Sequence, residues 1–156
     1  MKLFSLKDKV IIVTGASGLL GNEHANAIAE HGGIPVLIDI NSAKLNDQVK
    51  RLNKRFNLKL QAYSIDITDE KSVEKCCKEI KNNFGKIDGL INNASNNPKV
   101  ESSHKNFSRL ENFSVESWKN DLSVSLTGSF ICTKFSGFEI SKNPEGGSIV
   151  NVSSDL

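Results

Sequence analysis

Val10-Ile11-Ile12-Val13-Thr14-Gly15-Ala16-Ser17-Gly18-Leu19-Leu20-Gly21 is an apolar run that breaks into three glycines spaced by three and then opens a helical pattern. It reads as a buried parallel strand that delivers the chain to a phosphate-cradling turn. Gly15 is free to take a positive φ, Gly18 lets backbone approach a ligand, and Gly21 lets the following helix pack closely. That helix aims unpaired N–H groups at a pyrophosphate. Eighteen residues beyond Gly21, at the end of the next apolar run, Asp39 is placed to accept hydrogen bonds from an adenosine ribose. The two signals imply a dinucleotide, with NAD ahead of NADP because a carboxylate repels a 2′-phosphate and no Arg stands nearby. A tight turn without ligand would account for the glycines but not for the acid at that remove.

Outward from this stretch, apolar strands alternate with helical patterns: strands near 10–14, 34–39, 59–65, 88–92 and 148–153, helices near 19–31, 42–56, 69–84 and 114–137. The alternation predicts a doubly wound parallel α/β sheet of Rossmann type. Right-handed crossovers give it the strand order 3-2-1-4-5. Leu45, Val49, Leu52 and Phe56 form one apolar stripe at helical spacing, and Val73, Cys76, Ile80 and Phe84 another. Gly32 is placed to stop the first helix, Asn41 to cap the second, and Pro35 sits at the start of its strand, where a missing donor is tolerated. The long connection from Ser95 to Phe113 leaves the carboxyl end of the fourth strand. The Phe107, Leu110, Phe113 spacing could pin it there, as a lid, a substrate contact or a solvated insertion.

The chain has 156 residues, 24% of them charged, with a net charge of +2. This is one domain's worth of an ordinary globular protein, and the charge argues against nucleic acid and membrane partners; a small molecule is the expected ligand. The amino-terminal residues form neither a signal peptide nor a membrane span, so a cytoplasmic location is expected. Cys76, Cys77 and Cys132 match neither a disulfide framework nor a zinc site and are expected as reduced, half-buried thiols. His24, His31 and His104 show no ligand spacing, so no metal is expected. The Asn-x-Ser sequons at Asn106, Asn112 and Asn151 are read as chance.

Four stretches, Thr14 to Gly21, Asp66-Ile67, Asn92-Asn93-Ala94 and Gly147 to Ser154, resemble the short-chain dehydrogenase/reductases in order and spacing over the whole chain. The resemblance implies a single dinucleotide-binding domain over 1–156. Its glycine turn, Ser17 and Leu20 included, would lie on pyrophosphate, Asp39 on the adenosine ribose, Asp66 and Ile67 on adenine, and Asn92, Asn93 and Ala94 beside the nicotinamide ribose. It also implies hydride transfer between nicotinamide and a hydroxyl or carbonyl, with Ser154 orienting the substrate oxygen. The family's Tyr-x-x-x-Lys would lie roughly a dozen residues beyond Ser154 by helix arithmetic. The chain ends at Leu156. It is therefore expected to be an amino-terminal piece of a longer protein, incomplete after the fifth strand and inactive alone, with that strand left as an apolar edge. Tyr63 belongs to the third strand, in or beside the core, and cannot substitute.

Three departures from the pattern stand out. Ser125, a candidate catalytic position, occupies the place of the family's Asn, Ser95 that of its Gly, and Leu19 that of a second glycine. The glycine spacing also resembles nucleotide-sugar modifying relatives, and Asn96-Asn97-Pro98 resembles members associated with flagellin or surface-glycan modification. A dinucleotide-binding module without chemistry is the alternative for the isolated chain. The helix bearing Trp118, Leu122 and Leu126 offers an apolar face, so the intact protein is expected to form a homo-oligomer.

Overall fold

The computed structural model describes residues 4–96 and 110–153, so Ser154, His104, Phe107 and most of the connection after Ser95 lie outside the described residues. Five parallel strands form one sheet in the order β3-β2-β1-β4-β5: β1 (Val10–Thr14), β2 (Ile34–Asp39), β3 (Ala62–Ser64), β4 (Gly89–Asn92) and β5 (Ser148–Asn151). The expected order is observed. Helices α1 (Leu19–Glu30) and α2 (Ser42–Phe56) cover one face. On the other lie α3 (Glu70–Phe84) and a long rod made of α4 (Val115–Leu122), a wide π turn (Ser123–Gly128) and α5 (Ser129–Ile140).

The pleat sorts the core. Val10 and Ile12 of β1, with Val36, Ile38 and Leu90, face α3 and α5, whereas Val13 and Leu37 face α1 and α2. Strands buried on both faces need a continuous apolar run, which is why β1 carries no alternation. Each fully buried Leu or Ile contributes roughly 1.5–3 kcal/mol, so these strands set the frame on which the loops sit.

The predicted stops operate as read. Asn41 accepts a hydrogen bond from Lys44 N at 3.1 Å, and Gly32 follows α1 at φ +83°. Pro35 lies one residue inside β2. Ile34 N donates toward β1, to Lys9 O, and Leu37 N toward β3, to Gln61 O; the Pro35 nitrogen therefore points to the β3 side, below the first paired residue, Ala62.

Five expectations are corrected. The third strand is three residues rather than seven, because pairing with β2 begins only at Leu37↔Ala62. The fifth ends at Asn151, and the last helix runs on to Ile140. The three cysteines are buried rather than half-buried, since α5 closes over α3. Leu110 is exposed, so the expected apolar pin does not form there. Among the described residues β5 pairs with β4 alone, and it carries exposed Val150. Trp118 and Leu126 of the long rod are 56% and 64% exposed.

At the amino ends of the strands, buried Asp88 accepts from Val10 N at 2.8 Å and pairs with Lys86 and Lys9 at 3.0 and 3.4 Å. Burial pushes this carboxyl up, but the Val10 amide, Lys86 and Lys9 outweigh it and leave it below the ordinary carboxylate range. A lowered folded-state value adds stability that is present above the unfolded value and lost as pH falls through the folded one. The stability difference between wild type and Asp88→Asn is thus expected to be steady near neutrality and to shrink below about pH 4. Urea unfolding at several pH values measures it; a difference that does not change with pH would refute the assignment.

Candidate functional site

The carboxyl ends of β1, β2 and β4 open onto a crevice of about 670 Å³. Its wall contains Gly15, Ser17, Gly18, Leu20, Asp39, Asp66, Ile67, Asn93 and Ala94, nine of the eleven residues expected at a dinucleotide; Gly21 and Asn92 are the other two. Open parallel sheets collect ligands at this edge because the chain parts on either side of β1.

Gly15 leaves β1 at φ +61°, and a Cβ there would lie 2.8 Å from Ala94 Cα, so only glycine lets the two turns touch. Gly18 is the N-cap of α1 and offers no side chain to the first turn. The Leu19 and Leu20 amides are therefore left facing the crevice mouth. Gly21 is not in the wall. It sits behind the turn, where a Cβ would meet Gly15 O and lie 2.8 Å from Ala16 Cα. Its lack of a side chain is what lets helix and turn lie this close.

Asp39 ends β2 with both carboxylate oxygens engaged. Oδ2 accepts from Ser17 N and Oδ1 from Asn41 N, each at 2.9 Å. The acid is thus fixed at the crevice wall and also ties the glycine turn to the start of α2. Each oxygen keeps acceptor capacity for a sugar hydroxyl. Lys44 shares this wall, and Arg51 lines an adjoining crevice with Ser17 and Gly18 while its guanidinium contacts Asn22 Oδ1. The expectation that no arginine stands near is corrected to this extent: α2 brings two cations to this end of the site.

The floor is Asp66-Ile67. Asp66 Oδ1 accepts from Thr68 N and Thr68 Oγ1, both at 2.8 Å, which curls the loop after β3. Ile67 is buried against Gly128, where a Cβ would come within 2.6 Å of Ile67 Cδ1. The long rod is registered on the crevice floor by that contact.

The Asn92-Asn93-Ala94 stretch divides by the alternation of a strand. Asn93 and Ala94 are at the crevice, yet their polar groups brace the turn: Asn93 N and Ala94 N donate to Thr14 Oγ1 at 3.0 and 3.1 Å, and Asn93 Nδ2 to the Thr14 and Gly15 carbonyls. Asn92 faces the other way. It is buried, and its Nδ2 donates to Thr133 Oγ1 at 3.0 Å and Asn151 Oδ1 at 2.8 Å, joining β4 to α5 and β5. The expected place of Asn92 beside a ribose is therefore corrected. Thr14 is the residue that sequence reasoning missed; a hydroxyl closing a buried strand beside a glycine turn was the available signal.

Ser125 lies in the π turn next to the lining residue Val124, with its hydroxyl 3.1 Å from Ser95 Oγ. Single π turns inside α-helices cluster at functional sites. Tyr63 does not line the crevice: its hydroxyl donates to Gln61 Oε1 at 2.7 Å and accepts from Asn83 Nδ2 at 3.2 Å, and burial pushes its pKa up. Among the described residues no group of His, Cys, Asp or Glu is arranged to hold a metal, and no helix is long and apolar enough to cross a membrane.

An open helix amino end, a carboxylate fixed beside it and the buried Ile67 of the floor together fit a nicotinamide dinucleotide. A family model described as short chain dehydrogenase matches residues 9–156. An NADP-dependent mannitol dehydrogenase from Alternaria alternata is 29% identical over 154 residues, which is 97% of this chain and 55% of that protein. An NAD-dependent glycerol dehydrogenase from Listeria innocua is 33% identical over 153 residues, or 98% of this chain and 55% of that protein. The crystal structure of NAD+-bound xylitol dehydrogenase matches with a TM-score of 0.82 at 27% identity, covering 96% of this chain and 54% of that one. The chain spans about half the length of the curated relatives it matches.

Proposed function

Because the chain belongs to the short-chain dehydrogenase family, we propose that it forms the dinucleotide-holding part of an oxidoreductase that transfers hydride between nicotinamide and a small hydroxyl- or carbonyl-bearing substrate, with NAD preferred to NADP. The observation that carries this reading is the uncapped amino end of α1 opening into the same crevice as Asp39.

The Leu19 and Leu20 amides would hold pyrophosphate, which α1's dipole favours. Asp39 would accept the adenosine ribose hydroxyls, and Ile65 and Ile67 would pack on adenine. A bound nicotinamide supplies the hydride donor or acceptor. Ser125 would face the reacting end, and Ser154, three residues past β5, is the residue assigned to orient the substrate oxygen. Asp39 and the open helix end are common to a catalytic protein and to a mere binding module, so dinucleotide binding is the property to test first.

NADH titrated into the purified chain is expected to give saturable nucleotide fluorescence enhancement that ADP competes away, and light scattering is expected to give a species larger than a monomer. A folded chain with no saturable NADH signal would overturn the reading.

A further inference from the structure

Gly128 closes the π turn of the long rod and is buried there. A helical glycine costs stability relative to alanine, so one in the middle of the rod calls for a compensating contact. A Cβ on Gly128 would lie 2.6 Å from Ile67 Cδ1 and 2.7 Å from Ile67 Cγ1, whereas its other neighbour, Ser123 O, would be at an ordinary 3.5 Å. The rod comes this close to one side chain, and that side chain lines the crevice.

Both backbones are held. The loop that carries Ile67 is pinned by Asp66, whose Oδ1 accepts from Thr68 N at 2.8 Å and whose carbonyl accepts from Asp69 N at 3.2 Å. The rod is fixed just beyond Gly128, where Ile131 and Cys132 are buried in the core and Thr133 Oγ1 accepts from Asn92 Nδ2 at 3.0 Å. A group added at Gly128 must therefore displace the Ile67 side chain itself. Ile67 has the packed core on one side and the open crevice on the other. Deflection into open space costs less than overpacking a filled core.

Resting on the dinucleotide reading above, we propose that Gly128 is a positioning residue for the adenine end of the ligand: by leaving room behind Ile67 it keeps that side chain back against the rod, and so sets the depth of the slot into which adenine settles. Gly128 is not itself in the crevice wall, and it acts through Ile67 alone. Val124, four residues earlier in the same turn, does line the crevice. The π turn thus shapes the wall once by contact and once through the isoleucine.

The test is ADP competition against NADH fluorescence on the purified chain, with urea unfolding alongside. Gly128→Ala is expected to weaken ADP about tenfold, the low end of what overpacking costs, while the urea midpoint stays at or above the wild-type value because alanine is the better helix former. Ile67→Ala removes both obstructing atoms and is expected to weaken ADP about threefold by itself, through lost apolar contact. Adding Gly128→Ala to that variant should then change nothing further. Wild-type ADP affinity in Gly128→Ala would overturn the proposal, as would a loss of the same size in the Ile67→Ala background. An unfolded Gly128→Ala protein would overturn it too, because the added carbon would then be pressing on the core and not on the crevice. Absence of ADP binding by the wild-type chain would instead sink the dinucleotide reading beneath it.

Discussion

Gly21→Val is expected to abolish measurable NADH binding and to lower the unfolding free energy by about 3 kcal/mol. A Cβ at this position would overlap Gly15 O and lie 2.8 Å from Ala16 Cα. Both neighbours are backbone, so no side chain can turn aside to make room. The first turn of α1 must move away from the glycine turn, and the Leu19 and Leu20 amides move with it. Gly85→Ala provides the contrast, because Gly85 has φ +77° but nothing within 4 Å of the added carbon. It should cost only about 1 kcal/mol through backbone conformation and leave NADH binding intact. Chemical denaturation and fluorescence titration of the two variants separate close approach from dihedral strain. A Gly21→Val protein that melts and binds like wild type would show that the turn does not depend on this contact.

The second large effect concerns the choice of cofactor. Wild type is expected to bind NADH at least tenfold more tightly than NADPH. A unit charge about 4 Å from a carboxylate is repelled by roughly 4 kcal/mol at intermediate dielectric. Asp39 cannot swing clear without giving up the Ser17 and Asn41 amides that hold it. Lys44 on the same wall offsets part of the repulsion, which is why tenfold is expected rather than a thousandfold. Asp39→Ala should weaken NADH, strengthen NADPH, and destabilise the fold by about 1–2 kcal/mol as the two amides lose their acceptor. Comparable wild-type affinities for the two nucleotides in titration calorimetry would refute the assignment.

What the sequence makes legible is what is local. The glycine turn, Asp39, the Asn41 cap and the Gly32 stop each depend on the conformation of a few adjacent residues, and they stand where spacing puts them. The sheet order follows from the chirality of crossovers, another short-range rule. What escapes is what crossovers bring together. Ile67 beside Gly128 and Ser95 beside Ser125 come from segments far apart in the chain. Asn92 and Asn93 look equivalent as a motif but point to opposite sides of β4, and strand alternation would have separated them. Cys76 belongs to a visible helical stripe; Cys77 and Cys132 are covered only because α3 and α5 pack against each other.

The cysteines have a chemical consequence. Burial pushes all three thiols up, Cys132 to about 12, with Cys77 also contacting Ser136 Oγ at 3.4 Å. Alkylation and oxidation proceed through thiolate, which these sites scarcely populate while α3 and α5 stay together. Their loss to an alkylating reagent would therefore keep time with the parting of those two helices, giving the molecule a built-in clock for its own opening.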